Sequence, residues 1–156
     1  MRLWHKDLIP YLPDLQLKGQ WRECALIADA LAKNGTPNHL LVNRIVECMP
    51  MNFSLYIRLV ITQMKSRGFF VSNLSIEKIV NNLAKWNSKQ RMLQFPDIIK
   101  ATDAFLGWHN KEYLRVCMAN LYEKHHFGIG KSRITDEEWK RLCDGYKDIT
   151  GEDYVI

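Results

Sequence analysis

The sequence predicts an all-α fold in a single compact domain over residues 1–156, with about five to seven helices behind an extended N-terminal arm. Three observations lead there. Apolar residues recur at spacings of three and four along most of the chain, the period of an amphipathic helix. No stretch alternates apolar and polar residues long enough to require a strand. The punctuation is also helical, with stops at Asn34-Gly35 and Arg67-Gly68, and a start at Thr135 with Glu138 three residues on.

The elements follow in order. Residues 1–13 contain two prolines and no helical period, so they form the arm. Asp14 is placed to cap a first helix that runs to Lys33, with Leu17, Trp21, Cys24, Ala28 and Leu31 as its apolar stripe. Thr36 or Pro37 opens a second helix through His39 to Ile45, ending before Pro50. A third spans 52–66 and stops at Gly68. A short fourth runs from Ser75 to Trp86. Phe95 and Pro96 open a longer helical region to about Lys124, interrupted near Gly107 to Asn110. A glycine-bearing basic loop over 127–133 leads to a capping box at Thr135 and a last helix reaching about Tyr146.

Composition narrows the class. Apolar residues make up 47% and charged residues 25% of 156, enough to build a core and too balanced for disorder. No apolar run has the length of a membrane span, and nothing at the start resembles a secretory leader, so a cytoplasmic protein beginning at Met1 is expected. Cys24, Cys48, Cys117 and Cys143 show neither CxxC pairing nor metal-ligand spacing and read as reduced thiols, three of them core. The net charge of +5 is uneven: residues 1–100 hold 14 Lys/Arg against 7 Asp/Glu, while residues 101–156 hold 8 against 10. A basic first two thirds suits a polyanionic partner.

Common enzyme signatures are absent: no phosphate loop of the G-x-x-x-x-G-K-[ST] type, no G-x-S-x-G, no H-E-x-x-H and no dinucleotide glycine pattern. Gly128-Ile129-Gly130-Lys131 reads as a plain loop before a capped helix. The chemistry-bearing pattern lies on the first helix, where Gln16, Gln20 and Glu23 share one face. Arg22 adjoins Glu23, and Arg2 stands near the chain start. As an ordinary surface, this face is solvated and Glu23 pairs with a neighbouring Lys or Arg. As a site, it sets a carboxylate among neutral amides beside two phosphate-binding cations.

Met1-Arg2-Leu3, Asp14-Leu15-Gln16-Leu17 and Gln20-Trp21-Arg22-Glu23 together resemble the start of the phage endonuclease V type of pyrimidine-dimer DNA glycosylase. Asn38-His39 and Met64 to Phe69 extend the resemblance across roughly the first 70 residues. The resemblance implies a DNA repair glycosylase and abasic-site lyase that uses no metal and no cofactor and acts on double-stranded DNA. In that family an N-terminal α-amine attacks C1′ of the damaged nucleoside and forms an imine, and β-elimination then cuts the strand. Carried over, the nucleophile is the α-amine of Met1, Glu23 is the catalytic acid/base, and Arg2, Arg22, Gln16, Gln20 and His39 contact DNA. Some of Lys18, Arg44, Lys65 and Arg67 would border the same groove.

This chemistry agrees with ordinary acid-base behaviour. An α-amine titrates at roughly 7.7 to 8.0, and neighbouring cations such as Arg2 and Arg22 raise the neutral, nucleophilic fraction. Arg2 is too large for ordinary methionine removal, so Met1 itself takes the place of the family's threonine. The chain also departs from the family at Gln16, where the family has histidine, at Leu26, where it has arginine, and in an acidic tail that replaces a tyrosine-rich one.

The remaining notable residues have plain readings. Trp4 is read as core and His5 as surface, although both lie next to the proposed site. His39 serves equally as a cap, a packing residue or a DNA contact. His125 and His126 point in different directions and are no metal pair, and Trp86, Trp108 and Trp139 are core aromatics. A monomer is expected. The alternative function is a non-catalytic helical DNA-binding protein that retains the fold; a protein-interaction module is a third.

Overall fold

The computed structural model describes residues 2–90, 104–105, 107–130 and 133–155. Among them the chain is helical, without strands, in the order η1 (Lys6–Tyr11, 3₁₀), α1 (Asp14–Asn34), η2 (Asn43–Glu47, 3₁₀), α2 (Pro50–Ser66), α3 (Asn73–Gln90), α4 (Lys111–His126) and α5 (Asp136–Thr150). The all-α expectation holds. Two compact units share the chain: one takes Met1–Leu3 with Gly19–Phe105, the other Trp4–Lys18 with Leu106–Ile156.

In the first unit, α1 buries Gln20, Cys24, Ile27, Ala28 and Leu31, while Trp21 is only half-buried. Gln20, expected on the polar face with Gln16 and Glu23, is therefore buried in the stripe, and Trp21, expected there, is not fully buried. The second expected helix, over His39 to Ile45, is replaced by a turn and η2. Asn38 is left-handed at φ 52°, which breaks helical propagation. Asn43 Oδ1 accepts from the His39 amide at 2.7 Å, and the His39 carbonyl accepts from Val42 and Asn43, so local side-chain bonding competes with the helical ladder.

Pro50 stands at the start of α2, where its missing N–H removes a donor the helix would leave unpaired anyway. The helix ends in a Schellman motif. Gly68, at φ 73°, donates to Lys65 O and Phe69 donates to Met64 O. Phe53, Tyr56, Ile57, Val60 and Met64 form its buried face. Phe105 packs on Tyr56 and Phe53 with ring centroids 5.4 and 6.4 Å apart, which holds its backbone at an unfavourable φ of 61°. Helix α3 is longer than expected and buries Ile79, Leu83 and Trp86 one turn apart. From its last turn Lys89 Nζ donates to the Ala32 carbonyl at the end of α1, at 2.7 Å. The expected helical start at Phe95 and Pro96 lies outside the described residues.

In the second unit the expected extended arm is partly helical. Residues 6–11 form η1, and Asp14 proves to be the first helical residue of α1 rather than its cap, because the Pro13 carbonyl accepts from Leu17 N. Helix α5 packs against η1. Gly145 is buried under the Tyr11 ring, Tyr11 Oη donates to Asp148 at 3.1 Å, and Arg141 donates to the Tyr11 and Leu12 carbonyls at 3.2 Å. The capping box at Thr135 is present as read, and α5 extends past Tyr146 to a left-handed Gly151. Helix α4 starts after Gly107 to Asn110, with Asn110 as N-cap. Gly128 carries no Cβ because one there would overlap the Lys124 carbonyl and crowd Arg133 Cα, where the loop folds back on α4.

Several residues differ from their sequence reading. His5 is 3% exposed rather than a surface residue. Its ring stacks on His109 at 5.2 Å, and its Nε2 donates to the His109 carbonyl at 2.8 Å. His109 Nδ1 in turn accepts from the Lys6 amide at 2.9 Å, so the proton of the neutral ring sits on Nε2. All four cysteines are free thiols, but only Cys24 and Cys117 are buried, and Trp139 is half-buried.

Two outcomes follow from these contacts. Gly145→Ala gains helix propensity of about 1 kcal/mol but drives a methyl into the Tyr11 ring, an overpacking cost of about 1–3 kcal/mol. The net effect is a lower thermal midpoint, measurable by circular dichroism. Burial, with the nearby His5 and Lys6 charges, pushes the His109 imidazole down to about 2. The unfolded state therefore binds the extra proton first, and stability present above about pH 6.5 is lost as pH falls through the window down to about 2, at up to ~1.4 kcal/mol per pH unit. Urea titrations at pH 7 and 5 should show this loss in the parent and a smaller one in His109→Gln.

Candidate active site around Glu23

Helix α1 positions the central groups, all in the first unit. Glu23, half-buried, accepts through Oε2 from the backbone N–H of Arg2 at 2.6 Å. A short bond from an amide to a charged oxygen is of the stronger kind. One turn earlier on the helix, Gln20 donates Nε2 to the Arg2 carbonyl at 3.1 Å and lies 3.9 Å from Cys24 Sγ. The Arg2 backbone is thus held at both its donor and its acceptor by one face of α1. Leu3, fully buried in the same unit, adds an apolar anchor.

The other sequence candidates fall in different settings. Met1 lies outside the described residues. Arg22 is exposed on α1 and Arg2 is half-buried. Gln20, at 1% exposure, is no surface contact; its amide is directed at the chain start. Gln16 lies on the part of α1 that belongs to the second unit, and its buried Oε1 has no hydrogen-bond partner. His39 is half-buried in the turn before η2, where its backbone organises the turn. Arg44 and Lys65 are exposed, Arg44 lying 3.7 Å from Glu47, and Arg67 is half-buried at the end of α2.

Burial pushes the Cys24 thiol well above its ordinary range, so it is an inert core group beside the carboxylate and no second nucleophile. Among the described residues no group of three or more His, Cys, Asp or Glu side chains is placed to hold a metal ion. No described helix is long and apolar enough to cross a membrane. A cavity of about 580 Å³ in the unit is apolar, lined by Met51, Ile57, Ile61, Ile79, Val80 and Leu83 among others, and by none of the Glu23 constellation.

What sequence reading missed is the use to which Gln20 is put. Its position in the stripe, at i and i+4 with the buried Cys24, was the available signal.

The charge of the described residues divides with the units. Residues 2–3 and 19–90 carry ten Lys/Arg against four Asp/Glu, whereas in the second unit carboxylates exceed cations. An excess of cations on a helical unit suits a polyanionic partner. Residues 1–77 match the model of the family described as pyrimidine dimer DNA glycosylase. Over that segment, 77 of 156 residues, the chain is similar to this family of DNA repair glycosylases. No curated protein and no solved structure matches it.

Arg22 is exposed beside Glu23 and free to meet a phosphate. Arg22→Ala should weaken binding to any duplex and lower the slope of log K against log salt by about 0.9, the share of one phosphate contact on B-DNA. Fluorescence anisotropy across a salt series measures it, and an unchanged slope would show that Arg22 does not touch the backbone.

Proposed function

We propose that the protein is a DNA glycosylase with abasic-site lyase activity, acting on pyrimidine-dimer-type damage in double-stranded DNA through an imine formed by the α-amine of Met1. The observation that carries this reading is the 2.6 Å hydrogen bond from the Arg2 N–H to Glu23. The α-amine of residue 1 is three covalent bonds from that nitrogen, so the catalytic carboxylate is tied to the backbone of the residue that follows the nucleophile. The similarity of residues 1–77 to the pyrimidine dimer DNA glycosylase family supports the substrate class.

The steps balance without metal or cofactor. The neutral amine attacks C1′ as the C1′–N bond to the pyrimidine breaks and its electron pair leaves on the base, which takes up a proton. The attached nitrogen then loses its protons, the C1′–O4′ bond opens with O4′ protonated, and C1′=N forms. Removal of a C2′ proton expels the 3′ phosphate oxygen and cuts the strand, and water later releases the enzyme. Glu23 is the group that takes and returns these protons and offsets the positive charge growing on the sugar. Arg2 and Arg22 hold flanking phosphates while the target nucleotide leaves the stack. In this proposal residues 1–156 work as one monomeric, cytoplasmic domain.

The decisive comparison is Glu23→Gln. The amide keeps the size and an acceptor for the Arg2 N–H, but it cannot exchange a proton. This variant should bind an abasic-site duplex at least as tightly as the parent, because a negative charge has been removed, while strand cleavage falls on the order of 10² or more. Borohydride trapping reads the imine directly. Equal cleavage by parent and variant would remove Glu23 from the chemistry. A parent that binds DNA but neither cuts nor traps would establish the non-catalytic DNA-binding alternative, for which the positive charge of the first unit is sufficient.

A further inference from the structure

Gln20 is a buried carboxamide in the apolar stripe of α1, 1% exposed, where any aliphatic residue would pack without the need to satisfy polar atoms. Its amide nitrogen is committed to the Arg2 carbonyl at 3.1 Å. Three residues on, Glu23 holds the Arg2 N–H at 2.6 Å. Positions i and i+3 are neighbours on a helix surface, so one face grips the donor and the acceptor of a single residue. Gripping either end alone leaves residue 2 free to turn about its own φ and ψ. Gripping both fixes them.

The two grips differ in how they respond to the reaction. When Glu23 takes a proton it loses its charge, and its hydrogen bond from the Arg2 amide weakens from the charge-assisted to the neutral kind. The carboxamide of Gln20 does not titrate, so its bond persists through every protonation state of Glu23. We propose that Gln20 is a positioning residue: it keeps the chain start in register over α1 while Glu23 exchanges protons, so that the α-amine meets C1′ from a fixed place. This inference rests on the imine reading above. It replaces the expectation that Gln20 contacts DNA.

The test is Gln20→Met, an unbranched side chain of similar size that suits a buried helical stripe and has no N–H donor, with Gln20→Leu as a second variant should the first fold poorly. Three measurements on the full chain are compared with the parent: single-turnover borohydride trapping on an abasic-site duplex at saturating protein, the Kd for that duplex, and hydrogen exchange at the Arg2 amide by NMR. A loosened nucleophile should trap about 10- to 100-fold more slowly, as expected for a displacement of about an ångström, with Kd within about twofold and faster Arg2 exchange. Trapping at the parental rate, or a loss that only follows the folded fraction or Kd, overturns the positioning role while leaving the functional reading intact. A parent that yields no trapped adduct overturns the functional reading, and this inference with it.

Discussion

The hydrogen bond from the Arg2 amide to the Glu23 carboxylate joins the first residues of the chain to the helix that follows them, and much of the local arrangement depends on it. An N-terminal strand of a few residues ordinarily frays, because it has too few contacts to offset the entropy of ordering it. Here the start is secured by a charged acceptor, by the Gln20 amide and by the fully buried Leu3 side chain. The requirement is reciprocal: Glu23 is half-buried, and a carboxylate withdrawn from water needs the donor that the backbone supplies. Sequence positions 21 apart are thereby made into one chemical unit.

Electrostatics adds a second constraint. The excess of cations in the first unit favours a polyanion but also strains the fold through self-repulsion, and most of these side chains are exposed, where water and salt screen them. In the second unit the acidic tail is engaged locally. Glu152 pairs with Lys111 at 2.7 Å and approaches Arg115 at 3.9 Å, and Asp153 pairs with Lys147 at 2.9 Å. These are exposed pairs of modest worth individually. They nevertheless give the tail acids partners on their own unit.

How far the sequence could be read depended on whether a signal was local. The glycine stop at Gly68, the capping box at Thr135 and the break before α4 were legible because each is decided within a few residues. The second helix was not, since the competing bonds of Asn43 and the left-handed Asn38 overrode the apolar spacing of the segment. The burial of His5 was invisible because its partner, His109, is 104 positions away. At the site, the family-like pattern pointed to Glu23 and the chain start, but a pattern of residue types cannot say which polar group on a helix turns inward. Gln20 was read as facing DNA, whereas it faces Arg2.

The fold-back at Gly128 constrains redesign of this loop. The position is closed to every side chain, while its neighbours Phe127 and Ile129 stand 71% and 87% exposed. The steric demands at the three sites therefore differ. The middle residue is fixed by sterics, whereas a polar residue at either exposed flank costs little in core packing, with Phe127 giving up its edge contact to the His126 ring at 4.8 Å. A more soluble variant would be sought first at those flanks, with the turn itself left untouched.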